Sequence, residues 1–282
     1  GVFKTRGAFN RQLAARERGE LDPSVGIVVA SGGNAGLANA YAAGVLGVPA
    51  TVFVPETAPE VKIKKIREYG ADVRKVGAEY AEAYEAAIVH ANARGALLCH
   101  AYDQPEVAAG AGTLAEEILE DEPAIDTIVV AVGGGGLFSR CRRGCLFAGC
   151  LFGGVAEGGR GTRPRRCGRT ARDPDPVRRA ARGSPGRRAV SGVAADSLGA
   201  RRVGEIAFDI ASRVRPTSVL VDEDAIVVAR LRLWREYRIA AVGAAAAFAA
   251  LTSGAYTPAP GERVAVVVCG ANTDVRTLEP EA

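Results

Sequence analysis

The chain has 282 residues, 48% of them hydrophobic and 24% charged, with a net charge of +4. That composition excludes a disordered or collagen-like chain and leaves room for one large or two modest domains with a sizeable core. No apolar run approaches the roughly 18 residues that a membrane-spanning helix needs, and no basic-then-apolar leader opens the chain, so a cytoplasmic protein is expected.

Residues 25–132 alternate short apolar runs with helical stretches. Strands are expected at residues 26–30, 50–54, 72–76, 96–100 and 127–132. Helices are expected between them at 35–46, 60–69, 80–94 and 106–119. Strands that alternate with helices indicate crossover units and a parallel sheet buried on both faces. From 139 to 188 no period of 2 or 3.6 is legible. That stretch holds 14 Arg, no Lys, three acids and four of the six Cys: Cys141, Cys145, Cys150 and Cys167. The pattern resumes with a helix at 201–214, a strand at 218–221, helices at 223–237 and 243–251, and a strand at 263–269.

Two glycine loops follow strands. Gly133, Gly134, Gly135 and Gly136 come directly after TIVVAV. Four glycines can turn tightly and leave backbone N–H groups bare, which suits a phosphate at the carboxyl end of a strand, although a plain flexible turn reads the same way. Ser31-Gly32-Gly33-Asn34-Ala35 follows GIVVA and opens a helix. Its N–H groups suit an anion, with Ser31 as a simple N-cap the plainer alternative. Gly110-Ala111-Gly112-Thr113-Leu114-Ala115 matches a dinucleotide fingerprint but sits inside a helical pattern with no strand before it, so a dinucleotide site is not expected. The only histidines, His90 and His100, have no partners at ligand spacing, and the cysteines lack paired zinc spacing, so no metal is expected. Lys4, at the head of a helical stretch, would by itself be a surface charge.

Taken together, a Lys near the start, an Asn-bearing anion loop and a glycine nest resemble the fold-type II pyridoxal-phosphate enzymes, and within them the serine/threonine dehydratases. The matching segments are FKTRGA around Lys4, SGGNAGLA from Ser31, AVGGGGL from Ala131, SGVAADSLG from Ser191 and VCGANTD from Val268. The resemblance implies an α/β protein of two three-layer domains, tryptophan synthase β-like, with the cofactor in the cleft between them. Residues 1–30 plus 127–282 would form the large domain and 31–126 the small one.

It also implies roles. Lys4 would hold pyridoxal 5'-phosphate as a Schiff base and then act as the catalytic base. Phe3 would pack on the cofactor ring, Asn34 would bond its phenolic oxygen, Gly133 to Gly136 with Leu137 would hold its phosphate, and Cys269 would face its pyridine nitrogen. Ser31, Gly32, Gly33 and Ala35 would bind the substrate carboxylate. The implied reaction is β-elimination of L-threonine or L-serine to a 2-oxo acid and ammonia. β-Replacement on the same fold and a defective, non-catalytic relative are the alternatives. The related racemases carry a second Ser where Gly32 stands, so racemisation is disfavoured. A homodimer or homotetramer is implied; a membrane or nucleic-acid partner is not.

The chain departs from the family at several positions. Val2 stands beside Lys4 in place of Ser, Ala35 replaces a His, Ala271 replaces a Gly, and Val242 and Gly243 replace a Glu-Pro pair. The absence of Met and the start at Gly1 mark an expected fragment, and no regulatory domain is expected after Cys269. Residues 139–188 read as a compensated frameshift in a GC-rich gene, since out-of-frame GC-rich codons yield Arg, Gly, Pro, Ala and Cys. The rival reading is an Arg-rich insert that binds a polyanion, but no aromatic platform is interleaved with the charges.

Overall fold

Alternation of buried strands with amphipathic helices produces two parallel sheets. The computed structural model describes residues 2–138, 145–148, 195–198, 200, 202–214, 216–241, 243 and 245–278. The first sheet contains β1 (Ile27–Ala30), β2 (Ala50–Val54), β3 (Asp72–Lys75) and β4 (Leu97–Cys99), in the order β3-β2-β1-β4. Every pairing is parallel, with Ile27 opposite both Ala50 and Leu97. Its helices are α1 (Lys4–Glu17), α2 (Asn34–Leu46), α3 (Glu60–Arg67), α4 (Tyr80–Arg94) and α5 (Pro105–Asp121).

Alternate residues of each strand feed opposite faces of this sheet. Ile27, Val29, Val52 and Val54 pack with Leu37, Ala40 and Ala43 of α2 and with Ile63 and Ile66 of α3. Val28, Ala30 and Phe53 pack with Ala83, Ala87 and Ala91 of α4. With both faces covered, the central strands read as continuous apolar runs.

The second sheet is built from β5 (Thr127–Ala131), β6 (Cys145–Ala148), β7 (Thr217–Val219) and β8 (Val264–Val266), in the order β7-β6-β5-β8, again all parallel. Its further helices are α6 (Ala195–Leu198), α7 (Glu205–Val214), α8 (Glu223–Tyr237) and α9 (Ala245–Thr252). One face of β5 packs Val129 and Ala131 against Ile226, Ala229 and Leu233 of α8 and the alanines of α9. The other packs Ile128 and Val130 with Ala207 and Ala211 of α7, and with Leu114 and Ile118 of α5.

Three expectations need correction. A boundary at residue 30 cuts through the first sheet, because β1 lies between β2 and β4 and is bonded to both. The interval 139–188, which showed no strand pattern, contains β6, paired to β5 and β7. Four residues are too few to display a period, and the pairing is set by the neighbouring strands. The rest of that interval, and with it the frameshift and polyanion readings, lies outside the described residues. The helix expected from 201 starts at Glu205, because its N-terminal amides are capped from a distance. The Asp103 carboxylate accepts from Glu205 N at 3.0 Å and Ile206 N at 3.1 Å.

α1 packs between α5 and α2. The approach to α5 is close enough to require glycine on both sides. A Cβ on Gly7 would sit 2.6 Å from the Val107 carbonyl oxygen, and one on Gly110 would sit 2.6 Å from the Arg6 carbonyl oxygen and 2.7 Å from Asn10 Cβ. This explains Gly110 of the GAGTLA segment, which lies inside α5. Gly110→Ala must push α1 away from α5, since the obstacle is backbone. It should cost about 1–3 kcal/mol, read as a lowered urea midpoint with an unchanged m-value.

Candidate functional site

The carboxyl ends of β1, β4 and β5, and the segment after β8, converge. Ligands collect at such strand ends in parallel sheets. One pocket there is lined by Phe3 and Lys4 at the start of α1 and by Asn34 at the start of α2. Gly133 to Gly136 and Leu137 after β5, and Cys269 beyond β8, complete the residues expected from sequence.

Lys4 is half-buried as a residue, but its amine lies at the desolvated end of the side chain. Lys4 Nζ donates to the Ala101 carbonyl oxygen at 2.9 Å. It lies 5.1 Å from the centre of the Phe3 ring and 6.0 Å from that of Tyr102. Burial lowers its pKa to about 8, and the Cys269 sulfur pulls weakly the other way. Such an amine is substantially neutral in mildly alkaline solution, the form that attacks a carbonyl carbon and accepts a proton. Burial in turn pushes the Cys269 thiol up to about 11, so it stays protonated.

The tetraglycine turn is explained first by packing. A Cβ on Gly133 would lie 2.8 Å from the Leu198 carbonyl oxygen, and one on Gly134 would lie 2.6 Å from the Tyr102 ring. On Gly136 it would lie 2.9 Å from Tyr102 Cβ, and on Gly135 it would collide with Ala207. Gly135 also has φ +89°, a conformation costly for any other residue. The turn is pinned by Gly204 N, which donates to Gly134 O at 2.9 Å.

The loop after β1 is arranged differently from the N-cap expectation. Gly33 is the N-cap of α2, and the Ser31 hydroxyl instead accepts from Gly33 N at 3.2 Å. Asn34 Oδ1 accepts from Asn272 Nδ2 at 3.0 Å. Asn34 Nδ2 has no hydrogen-bond partner among the described residues. Of the proposed substrate-binding positions, Ser31, Gly32, Gly33 and Ala35 do not line the pocket around Lys4, and Ala35 is buried. The donor set fits pyridoxal phosphate. A buried amine suits its aldehyde, an unpaired amide N–H its ring oxygen, a neutral thiol its pyridine nitrogen, and a glycine turn its phosphate.

Residues that the sequence reading missed are Ala101, Tyr102, Ser197, Leu198 and Asn272. Tyr102 follows β4, packs on the glycine turn and donates its hydroxyl to the Arg202 carbonyl at 3.2 Å. Its backbone is held by His100, whose Nδ1 accepts from Tyr102 N at 3.2 Å and Asp103 N at 2.8 Å. The position of this loop at a strand's carboxyl end was the available signal. Ser197 Oγ accepts from Gly243 N at 2.9 Å. Val242 lies outside the described residues, as do the side chains of Cys141, Cys145, Cys150 and Cys167.

Labelling of Lys4 by a small aldehyde, trapped with borohydride and read by peptide mass spectrometry, should rise with pH as the amine loses its proton. The expected midpoint is about 8; a midpoint near the ordinary lysine value of 10.5 would contradict the burial described.

Comparison with known proteins bears on the same chemistry. The family described as pyridoxal-phosphate dependent enzyme matches residues 1–270. An L-threonine ammonia-lyase of Thermotoga maritima is 34% identical over 281 residues, covering 99% of this chain and 66% of that protein. One from Geobacter sulfurreducens is 36% identical over 282 residues, with coverage of 99% and 66%. The chain thus spans 66% of the length of these two relatives. Among solved structures, threonine deaminase isoform 2 from Solanum lycopersicum aligns with TM-score 0.79 at 25% identity, covering 98% of this chain and 73% of that one. Maize serine racemase aligns with TM-score 0.78 at 26% identity, covering 99% and 82%. The chain belongs to the pyridoxal-phosphate dependent enzymes, in the fold-type II group that contains the serine/threonine dehydratases.

Proposed function

We propose that this chain carries out the β-elimination of L-threonine or L-serine, giving 2-oxobutanoate or pyruvate and ammonia. The observation that carries the reading is the buried amine of Lys4, its pKa lowered to about 8, in one pocket with the tetraglycine turn. Its threonine ammonia-lyase relatives support the same assignment. In this reading the small lobe comprises β1 with residues 31–126, the large lobe comprises the remainder, and the protein works in the cytoplasm as a homo-oligomer.

Bound pyridoxal phosphate supplies an electron sink for the substrate's α-carbon. Lys4 would hold it covalently through Nζ, Phe3 would pack on its ring, and Asn34 would donate to its ring oxygen. Gly133 to Gly136 and Leu137 would seat its phosphate. Ser31, Gly32, Gly33 and Ala35 would receive the substrate carboxylate through the loop that opens α2. As a free amine, Lys4 Nζ would accept the substrate's α-proton and hold it near the α-carbon, oriented by the Ala101 carbonyl. Cys269 would face the pyridine nitrogen as a protonated thiol, a weak donor. Water is lost across Cα–Cβ, and hydrolysis of the resulting enamine releases ammonia and the 2-oxo acid.

Gly32 has no side chain to move a proton on the opposite face of the substrate. Chiral chromatography of a reaction on L-serine should therefore show pyruvate without D-serine. The purified protein with pyridoxal phosphate should form a 2-oxo acid from L-threonine and show a visible absorbance band. Lys4→Ala should abolish the band and lower turnover by about 10²–10⁴-fold or more. A β-substituted amino acid formed from an added thiol, with no 2-oxo acid, would replace this reading with β-replacement. A protein without the band would be non-catalytic.

A further inference from the structure

An amide side chain has an accepting end and a donating end, and the end that meets a pocket decides what can bind there. Asn34 lines the pocket beside Lys4. Its orientation follows from a chain of two hydrogen bonds. Lys65 Nζ, on the exposed face of α3, donates to Asn272 Oδ1 at 3.1 Å. A lysine ammonium can only donate, so the atom of Asn272 that meets it must be the oxygen. The other end of Asn272 is then Nδ2, which donates to Asn34 Oδ1 at 3.0 Å. With its oxygen engaged, Asn34 has Nδ2 left, and that atom has no partner among the described residues.

We propose that Lys65 and Asn272 are positioning residues, a donor relay that sets the polarity of the Asn34 amide so that the pocket receives an oxygen acceptor there. The relay starts on α3 and ends on α2, helices of the first sheet, but its middle member comes from the segment after β8 of the second sheet. It therefore draws its members from both sheets, and it is complete only where their strand ends meet. The inference rests on the reading that Asn34 meets the ring oxygen of the cofactor, and it adds residues which that reading does not use.

The test is titration of apoprotein with pyridoxal phosphate, followed by absorbance, to obtain a dissociation constant without any assay of turnover. Asn272→Asp keeps the size and still accepts from Lys65, but it has no donor for Asn34. The Asn34 amide then turns to donate to the new carboxylate and presents its own oxygen to the ring oxygen. Asn272→Asp should weaken binding roughly 10- to 100-fold, the worth of a hydrogen bond to a charged acceptor, and should move the visible band to shorter wavelength. Asn272→Ala, which leaves Asn34 free to turn, should weaken it less. Lys65→Met should weaken binding and Lys65→Arg should restore it. As Lys65 is exposed, that pair carries the test if the Asn272 variants fail to fold. Asn272→Asp that binds as well as or better than Asn272→Ala, or Lys65→Met that binds as the parent does, overturns the relay while leaving the Asn34 reading intact. Asn34→Ala that binds as the parent does overturns both.

Discussion

The site depends on removing one amine from water without giving it a neutralising partner. Lys4 Nζ donates to a carbonyl oxygen, a dipole that orients the ammonium but does not hold its proton as a carboxylate would. Desolvation is then the larger effect, and the pKa falls to about 8. The same desolvation raises the thiol of Cys269. The two groups are pushed towards their uncharged forms together, which is the state a buried amine and thiol adopt at least cost.

Holding that amine in place explains much of the packing around it. Lys4 is the first residue of α1, so its position is fixed by how α1 seats against α5 and α2. The reciprocal contacts of Gly7 and Gly110 let α1 approach α5 to backbone contact. The carbonyl that receives the amine belongs to the loop after β4, and the same loop does three other jobs. Tyr102 packs on the glycine turn, Asp103 caps α7 across the cleft, and Gln104 accepts from His100 N at 2.8 Å. The loop that receives the Lys4 amine therefore also makes contacts to elements of both sheets beside the pocket.

The strands and helices of residues 25–132, and the helix at 223–237, were legible because local periodicity encodes them: β2, α4 and α8 have the bounds that the pattern indicates. The family motifs were legible because glycine runs and an amide beside a strand end carry a chemical meaning at short range. β6 was not legible, because a strand of four residues takes its identity from β5 and β7, and its own composition has no period. The start of α7 was misjudged because its cap is supplied by Asp103, about a hundred positions earlier.

The amino-acid sequence by itself determined the alternation of elements, the parallel sheets, the glycine turn and the lysine at the head of α1. These are properties of segments, set by backbone propensity and hydrophobic period. Only the tertiary structure decided that β1 belongs to the first sheet, that the Ala101 carbonyl meets Lys4, that Tyr102 walls the glycine turn and that Asn272 turns the Asn34 amide. The Lys4–Ala101 and Asn34–Asn272 contacts join residues 97 and 238 positions apart, and no local spacing records which distant backbone or amide will stand beside a given side chain once the strand ends converge.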